Sequence, residues 1–309
     1  MIVTKGVKLK SNIMREILVM TFILFVTNTF SQENKIYVFK DRYNKSEQKY
    51  IENDPSRFSE IKVMTANSLL TNRKIDYRKV EESLQVMYPS NNATGVLCID
   101  LENDAFKHLK GHNINRVKKM TDAQFEKAKN DFIELIRFIK NKRPKLQVGY
   151  FELPFRIFKE SEQRPGSTTL LDDILKEADI IMPSLYIPYP ASHVGVDANL
   201  KFLDINLKFA LQCGVRLNKP VLPFVWYFIF SPEEKFSYEI IPKDDMNTYM
   251  DYIFNYAFNN KKVNGIIWWD SAVPFYDRNK GMVKQNYIQR SQKRDNINRR
   301  DLFYYYFEQ

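Results

Sequence analysis

Strand-like and helix-like segments alternate from residue 35 to residue 270 of this 309-residue chain, which is the pattern of a parallel α/β fold. The chain holds only nine Gly and no glycine-rich phosphate turn, which disfavours a nucleotide-binding doubly wound sheet. Polar and aromatic residues gather where the strands end: Asp100 and Glu102, Tyr150 and Glu152, Tyr186 and Tyr189, Trp226 and Tyr227, Trp269 and Asp270. Parallel barrels carry their sites at the C-terminal strand ends. These observations predict an α/β protein with a distorted TIM-type (β/α) barrel, a single domain over residues 32–309.

Residues 1–31 read as a signal peptide. An apolar run at 17–27 follows Lys8, Lys10 and Arg15, and a small residue, Ser31, precedes a polar start. The run is short for a spanning helix, which needs about 20 residues. Met14 offers an alternative initiator, making the first thirteen residues a start-site artefact. The expected product is secreted or periplasmic, with no stable membrane insertion once the signal is removed.

The elements follow in order. Residues 35–39 and 61–64 read as short strands, and 76–87 as a helix with Val80, Leu84 and Met87 on one face. Residues 95–102 form the next strand. Thr121 and Gln124 make a capping box, and Phe125, Ala128, Phe132, Leu135, Ile136 and Ile139 give the helix behind it an apolar stripe. A strand at 146–151 ends in Glu152. A helix at 170–178 leads to a strand at 180–186 that contains Pro183. A helix at 200–213 stops at Gly214. The strand 221–227, the helix 245–257 and the strand 263–269 complete the alternation. A polar helix is expected at 285–296, and the aromatic tail 302–307 is expected to pack on the barrel. His108 and His112 share helical spacing but fall in a Lys/Gly-rich stretch read as a loop. No metal or cofactor is expected.

The full chain carries +10, and removal of four basic residues and one acid with the signal leaves +7. That balance suits an acidic partner, and no nucleic-acid motif is present. The two cysteines, Cys98 and Cys213, exclude a disulfide framework and read as buried free thiols.

Residues 95–103, GVLCIDLEN, organise the rest. The apolar half suits a strand buried on both faces. Alternation points Asp100 and Glu102 the same way, with Cys98 below them. Such carboxylates are costly to desolvate, so the pair marks either a solvated rim or an active site. Aromatic faces at neighbouring strand ends suit stacking on sugar rings. For Trp268, core packing is the expected role.

The sequence resembles the hyaluronidase family of glycoside hydrolases in four blocks: GVLCIDLEN, QVGYFELP at 147–154, ADIIMPSLYI at 178–187 and GIIWWD at 265–270. Their order and spacing agree over residues 94–274. The resemblance implies an exported endo-glycosidase acting on an N-acetylhexosamine polysaccharide, hyaluronan- or chondroitin-like and anionic. It implies Glu102 as general acid, Asp100 as the residue that orients the substrate's acetamido group, and a substrate-assisted retaining mechanism. Tyr186 matches a Tyr contacting the acetamido region, and Trp269 the Trp walling the sugar pocket. Tyr227 is a candidate for the family's second site Tyr, and Tyr150, Glu152, Trp226 and Asp270 are candidate substrate contacts. Leu101 replaces the family's Trp between the acids, Glu152 stands where the family has Gly, and the Cys-rich C-terminal module is absent. Two other readings stay open: a conventional retaining glycosidase pairing Glu102 with Asp270 or Glu152, and a catalytically silent glycan-binding barrel.

Overall fold

A computed structural model describes residues 34–270 and 302–307, apart from 116, 117, 119, 165 and 166. The predicted signal peptide and the helix expected at 285–296 lie outside the described residues. No described helix is long and apolar enough to cross a membrane.

The strands are β1 (Ile36–Val38), β2 (Phe58–Thr65), β5 (Gly95–Asp100), β6 (Leu146–Tyr150), β7 (Phe224–Trp226) and β8 (Ile266–Trp269), with a two-residue hairpin of β3 (Leu70–Thr71) and β4 (Lys74–Ile75). The six long-range strands form one parallel sheet in the order β6-β5-β2-β1-β8-β7. Residues 181–184 run between its two edges. They touch one edge through the parallel bridge Phe151↔Met182 and the other through Ile181↔Val221 and Ser184↔Phe224. The sheet thus curls into a distorted TIM-type barrel, as the sequence predicts.

Two of the predicted strands are reduced for a reason visible in the chain. Pro183, Pro220 and Pro223 have no N–H to donate to a ladder. The predicted strand at 180–186 is therefore a row of single bridges, and that at 221–227 keeps only the three residues of β7. The prolines still accept: Phe224 N–H donates to Pro183 O (2.8 Å) and Ile267 N–H to Pro223 O (2.8 Å).

Helices cover the outside. They are α1 (Lys45–Asn53), α2 (Ala66–Leu69), α3 (Tyr77–Met87), α4 (Asp104–Asn113), α5 (Asp122–Lys142), α6 (Asp172–Glu177), α7 (Ala191–Val194), α8 (Val196–Leu217), α9 (Lys243–Asn255) and α10 (Leu302–Phe307). The Thr121–Gln124 capping box forms as predicted, and the whole predicted stripe of α5 is buried. Helix α10 carries the aromatic tail: Phe303 and Phe307 pack on Phe58, and Phe307 and Tyr306 on Trp268. Trp268 is 2% exposed, so it belongs to the core as expected. Cys98 and Cys213 are buried and free.

Two expectations are corrected and one helix is added. Residues 104–113, read as a loop, form helix α4, capped by Asn103 Oδ1 accepting from Phe106 N–H. Helix α1 is unanticipated, although Asn44 and Glu47 form its capping box. Gly214 does not stop its helix, which runs on to Leu217 and ends at Asn218 in the left-handed region (φ 51°). Gly214 instead makes room, since a Cβ there would stand 2.7 Å from Val221 Cγ2 and 2.9 Å from Lys261 Cε.

Gly149 does the same at the barrel seam. A Cβ on it would lie 2.5 Å from Ile180 O and 2.9 Å from Met182 Sδ. The segment that closes the barrel can approach β6 only because this residue has no side chain. Gly149→Ala should therefore cost about 1–3 kcal/mol, the usual range for overpacking. Urea unfolding followed by circular dichroism measures this; unchanged stability would mean the seam is looser than described.

Candidate active site

The strand ends of this barrel enclose a pocket of about 160 Å³. Strand β5 brings Cys98 and Asp100 to it on one face, and Glu102, two residues beyond the strand end, lines the same pocket. Phe151 and Glu152 come from the turn after β6, Ser184 and Tyr186 from the bridging segment, Phe224 and Trp226 from β7, and Trp269 from β8.

The register explains the alignment. Cys98 pairs with Val63 and Gly149, and Thr65 with Asp100, so the ends of β2, β5 and β6 stand level. Phe151 N–H donates to Ile99 O (3.0 Å), continuing the ladder one residue past β6.

Asp100 is half-buried, and its Oδ1 is enclosed with no hydrogen-bond partner among the described residues. Burial, then the neighbouring Glu102 carboxylate, pushes Asp100 up to about 7, and Arg42 opposes this. Glu102 presents surface at the pocket mouth, yet its carboxyl is crowded by the surrounding chain. Burial and Glu152 raise its proton affinity, while Lys110 and Arg156 pull it back. Both carboxyl groups thus hold a proton to higher pH than an ordinary carboxylate does.

Aromatic rings form the walls. Tyr186 lies 5.3 Å from Trp226 and 5.9 Å from Phe151 between ring centres. Its hydroxyl is held well above the ordinary tyrosine value by burial and by Asp100. Trp269 is half-buried; the Arg42 guanidinium lies 4.2 Å from its ring centre and donates to Asp270 O (3.0 Å).

Of the site residues expected from sequence, Asp100, Glu102, Glu152, Tyr186, Trp226 and Trp269 meet around this pocket. Three do not. Tyr150 faces the opposite side of β6, where its hydroxyl donates to Phe132 O (2.7 Å) and its ring packs on Phe132. Strand alternation requires this once Phe151 faces inward. Tyr227 stacks on Trp268, opposite in direction to Trp226, and its hydroxyl donates to Asp270 Oδ1 (2.7 Å). That bond engages the Asp270 carboxylate outside the pocket lining.

Ser184, Phe230 and Arg156 line the pocket without having been singled out. Ser184 lies inside the PSLY block, so its motif was visible though its role was not. Arg156 follows Pro154 in an irregular stretch without periodicity, and only its burial (6% exposed) distinguishes it. No cluster that could hold a metal ion occurs among the described residues.

No protein-family model and no curated protein matches the chain. Among solved structures it is similar to bee venom hyaluronidase, at TM-score 0.59 and 15% identity, over 85% of this chain and 98% of that one. It is also similar to bee venom hyaluronidase in complex with a hyaluronic acid tetramer, at TM-score 0.56 and 16% identity, over 86% and 100% of the two chains. At this identity the likeness is one of fold.

The pocket carries a stability signature. Asp100 binds its proton more tightly in the folded protein than in the unfolded chain, whose aspartates titrate near the ordinary value of about 4. The stabilisation is complete below that value and is lost as pH rises through about 7. Asp100→Asn has no such loss. Its Tm relative to wild type should rise by about 2–6 °C between pH 4 and pH 8. A constant difference across that range in scanning calorimetry would show that Asp100 titrates normally.

Proposed function

We propose that the protein is an exported endo-glycosidase that hydrolyses N-acetylhexosamine-containing glycans with help from the substrate's own acetamido group. The observation that carries this reading is the pairing of Asp100, with its unpartnered buried oxygen, and Glu102 at the mouth of an aromatic-walled pocket. The barrel likeness to a hyaluronidase supports it.

The chemistry follows from the pair. A bound acetamido N–H donates to Asp100 Oδ1, which supplies the missing partner and favours the ionised form of Asp100. The proton for catalysis then resides on Glu102, whose hold on it burial and Glu152 raise. Glu102 gives it to the glycosidic oxygen while the acetamido oxygen attacks the anomeric carbon, so the leaving glycan departs as an alcohol. Glu102, now a carboxylate, takes a proton from the water that opens the cyclic intermediate, and the anomeric configuration is retained. Tyr186 and Trp269 shape the wall around the N-acetyl group.

A conventional retaining mechanism is the second reading, with Glu152 as nucleophile, because Glu152 also lines the pocket. Asp270 is the weaker partner for that role, since its carboxylate is held by Tyr227.

Glu102→Gln should lower kcat by about 10²–10⁴-fold with the fold intact, because an amide cannot supply the proton. Wild-type turnover in this variant would remove Glu102 from the mechanism. A thiazoline analogue of the cyclic intermediate should inhibit competitively. The Glu152 reading instead calls for a covalent adduct on Glu152 with a fluorinated substrate, detected by peptide mass spectrometry.

A further inference from the structure

The reading above leaves open which sugar neighbours tolerate this pocket, and Glu152 bears on that. Phe151 bridges Met182 in parallel and Leu153 bridges it antiparallel, so the chain turns at Glu152 between them. Its backbone is in the left-handed region (φ 59°), uncommon for a residue with a side chain. The turn brings the side chain to the pocket, where the residue is 5% exposed. Lys110 Nζ, on α4 and outside the pocket lining, donates to Glu152 Oε1 (2.9 Å). The lysine is itself packed beside Phe106 and Phe155, so the carboxylate is clamped from one side.

The lining therefore presents three carboxylates, Asp100, Glu102 and Glu152, against one guanidinium, Arg156. Arg156 donates to Tyr186 O (3.2 Å) and lies 4.8 Å over the Phe230 ring. An independent feature points to a ligand here. Ser184 is 1% exposed, lines the same pocket, and its Oγ has no hydrogen-bond partner among the described residues. A sugar hydroxyl can satisfy Ser184 and donate to Glu152. A uronate carboxylate can only accept, so it has nothing to give Glu152 and brings a further negative charge beside it.

Resting on the glycosidase reading, we propose that Glu152, presented by its left-handed turn and clamped by Lys110, is a specificity-determining residue that admits neutral N-acetylhexosamine glycan to the pocket and excludes uronate. The basic exterior does not alter this, because like charges brought together in a confined site are opposed far more strongly than a distant charge attracts through salt solution.

The test is a pair of affinities measured calorimetrically in the Glu102→Gln protein, where hydrolysis is stopped. The probes are a chitin tetrasaccharide and a hyaluronan tetrasaccharide. With Glu152 present, the chitin probe should bind at least about tenfold more tightly. Adding Glu152→Gln, which keeps the shape and removes the charge, should shrink that ratio at least about fivefold by strengthening hyaluronan binding. Glu152→Gly suits the left-handed backbone and should shrink the ratio similarly, guarding against a Gln variant that misfolds. Equal or tighter hyaluronan binding with Glu152 intact, or a ratio that neither substitution moves, overturns the proposal while leaving the glycosidase reading standing. Failure of both probes to bind overturns the two together.

Discussion

The structure depends on the cost of taking two neighbouring carboxylates out of water. Asp100 ends a strand whose residues Val96 to Ile99 are all buried and Glu102 follows two residues on, so their position is dictated by the core beneath them. Everything around them keeps that position. Strands β2 and β6 flank β5 in parallel register, Gly149 lets the closing segment approach, and Pro183 and Pro223 leave that segment as bridges. The result is a pocket at the strand ends in which burial and a neighbouring carboxylate push Asp100 up to about 7. A folded chain keeps such an arrangement at a loss of stability, and sites that do so are commonly functional.

Much of this was legible in the residues themselves. Alternating apolar strands and striped helices gave the barrel, and Thr121 with Gln124 marked the start of α5. The pair Asp100 and Glu102, with Tyr186, Trp226, Trp269 and Glu152, could be placed at strand ends from periodicity alone. What was misread has a physical cause in each case. Tyr150 and Tyr227 sit one residue from true pocket residues, and a shift of one position in a strand reverses the face. Helix α4 was hidden by Gly111 and by His and Lys residues that resemble loop composition, although Asn103 caps it. Gly214 carries the sequence signature of a helix end, yet it answers to packing against Val221 and Lys261. Arg156 and Ser184 gave no periodic signal because their roles come from tertiary closure.

Glu152 owes its place in the pocket to a local backbone feature, a left-handed residue in the turn after β6. The barrel is similar to that of a hyaluronidase over most of both chains, at 15% identity. The turn after β6 brings a third carboxylate to this pocket, where Lys110 secures it. The acids at and just beyond the end of β5 and the acid after β6 thus reach one pocket from different elements, and the roles proposed for them differ: proton transfer for the first pair, selection of the sugar for the third.

The central claim is that the substrate's acetamido group, oriented by Asp100, takes the place of an enzyme nucleophile. The most direct measurement compares hydrolysis of one N-acetylhexosamine oligosaccharide with that of its de-N-acetylated form under identical conditions, products being sized by mass. The account requires cleavage of the first and none of the second. Comparable cleavage of both would contradict it and leave the nucleophile to be sought among the protein's own carboxylates.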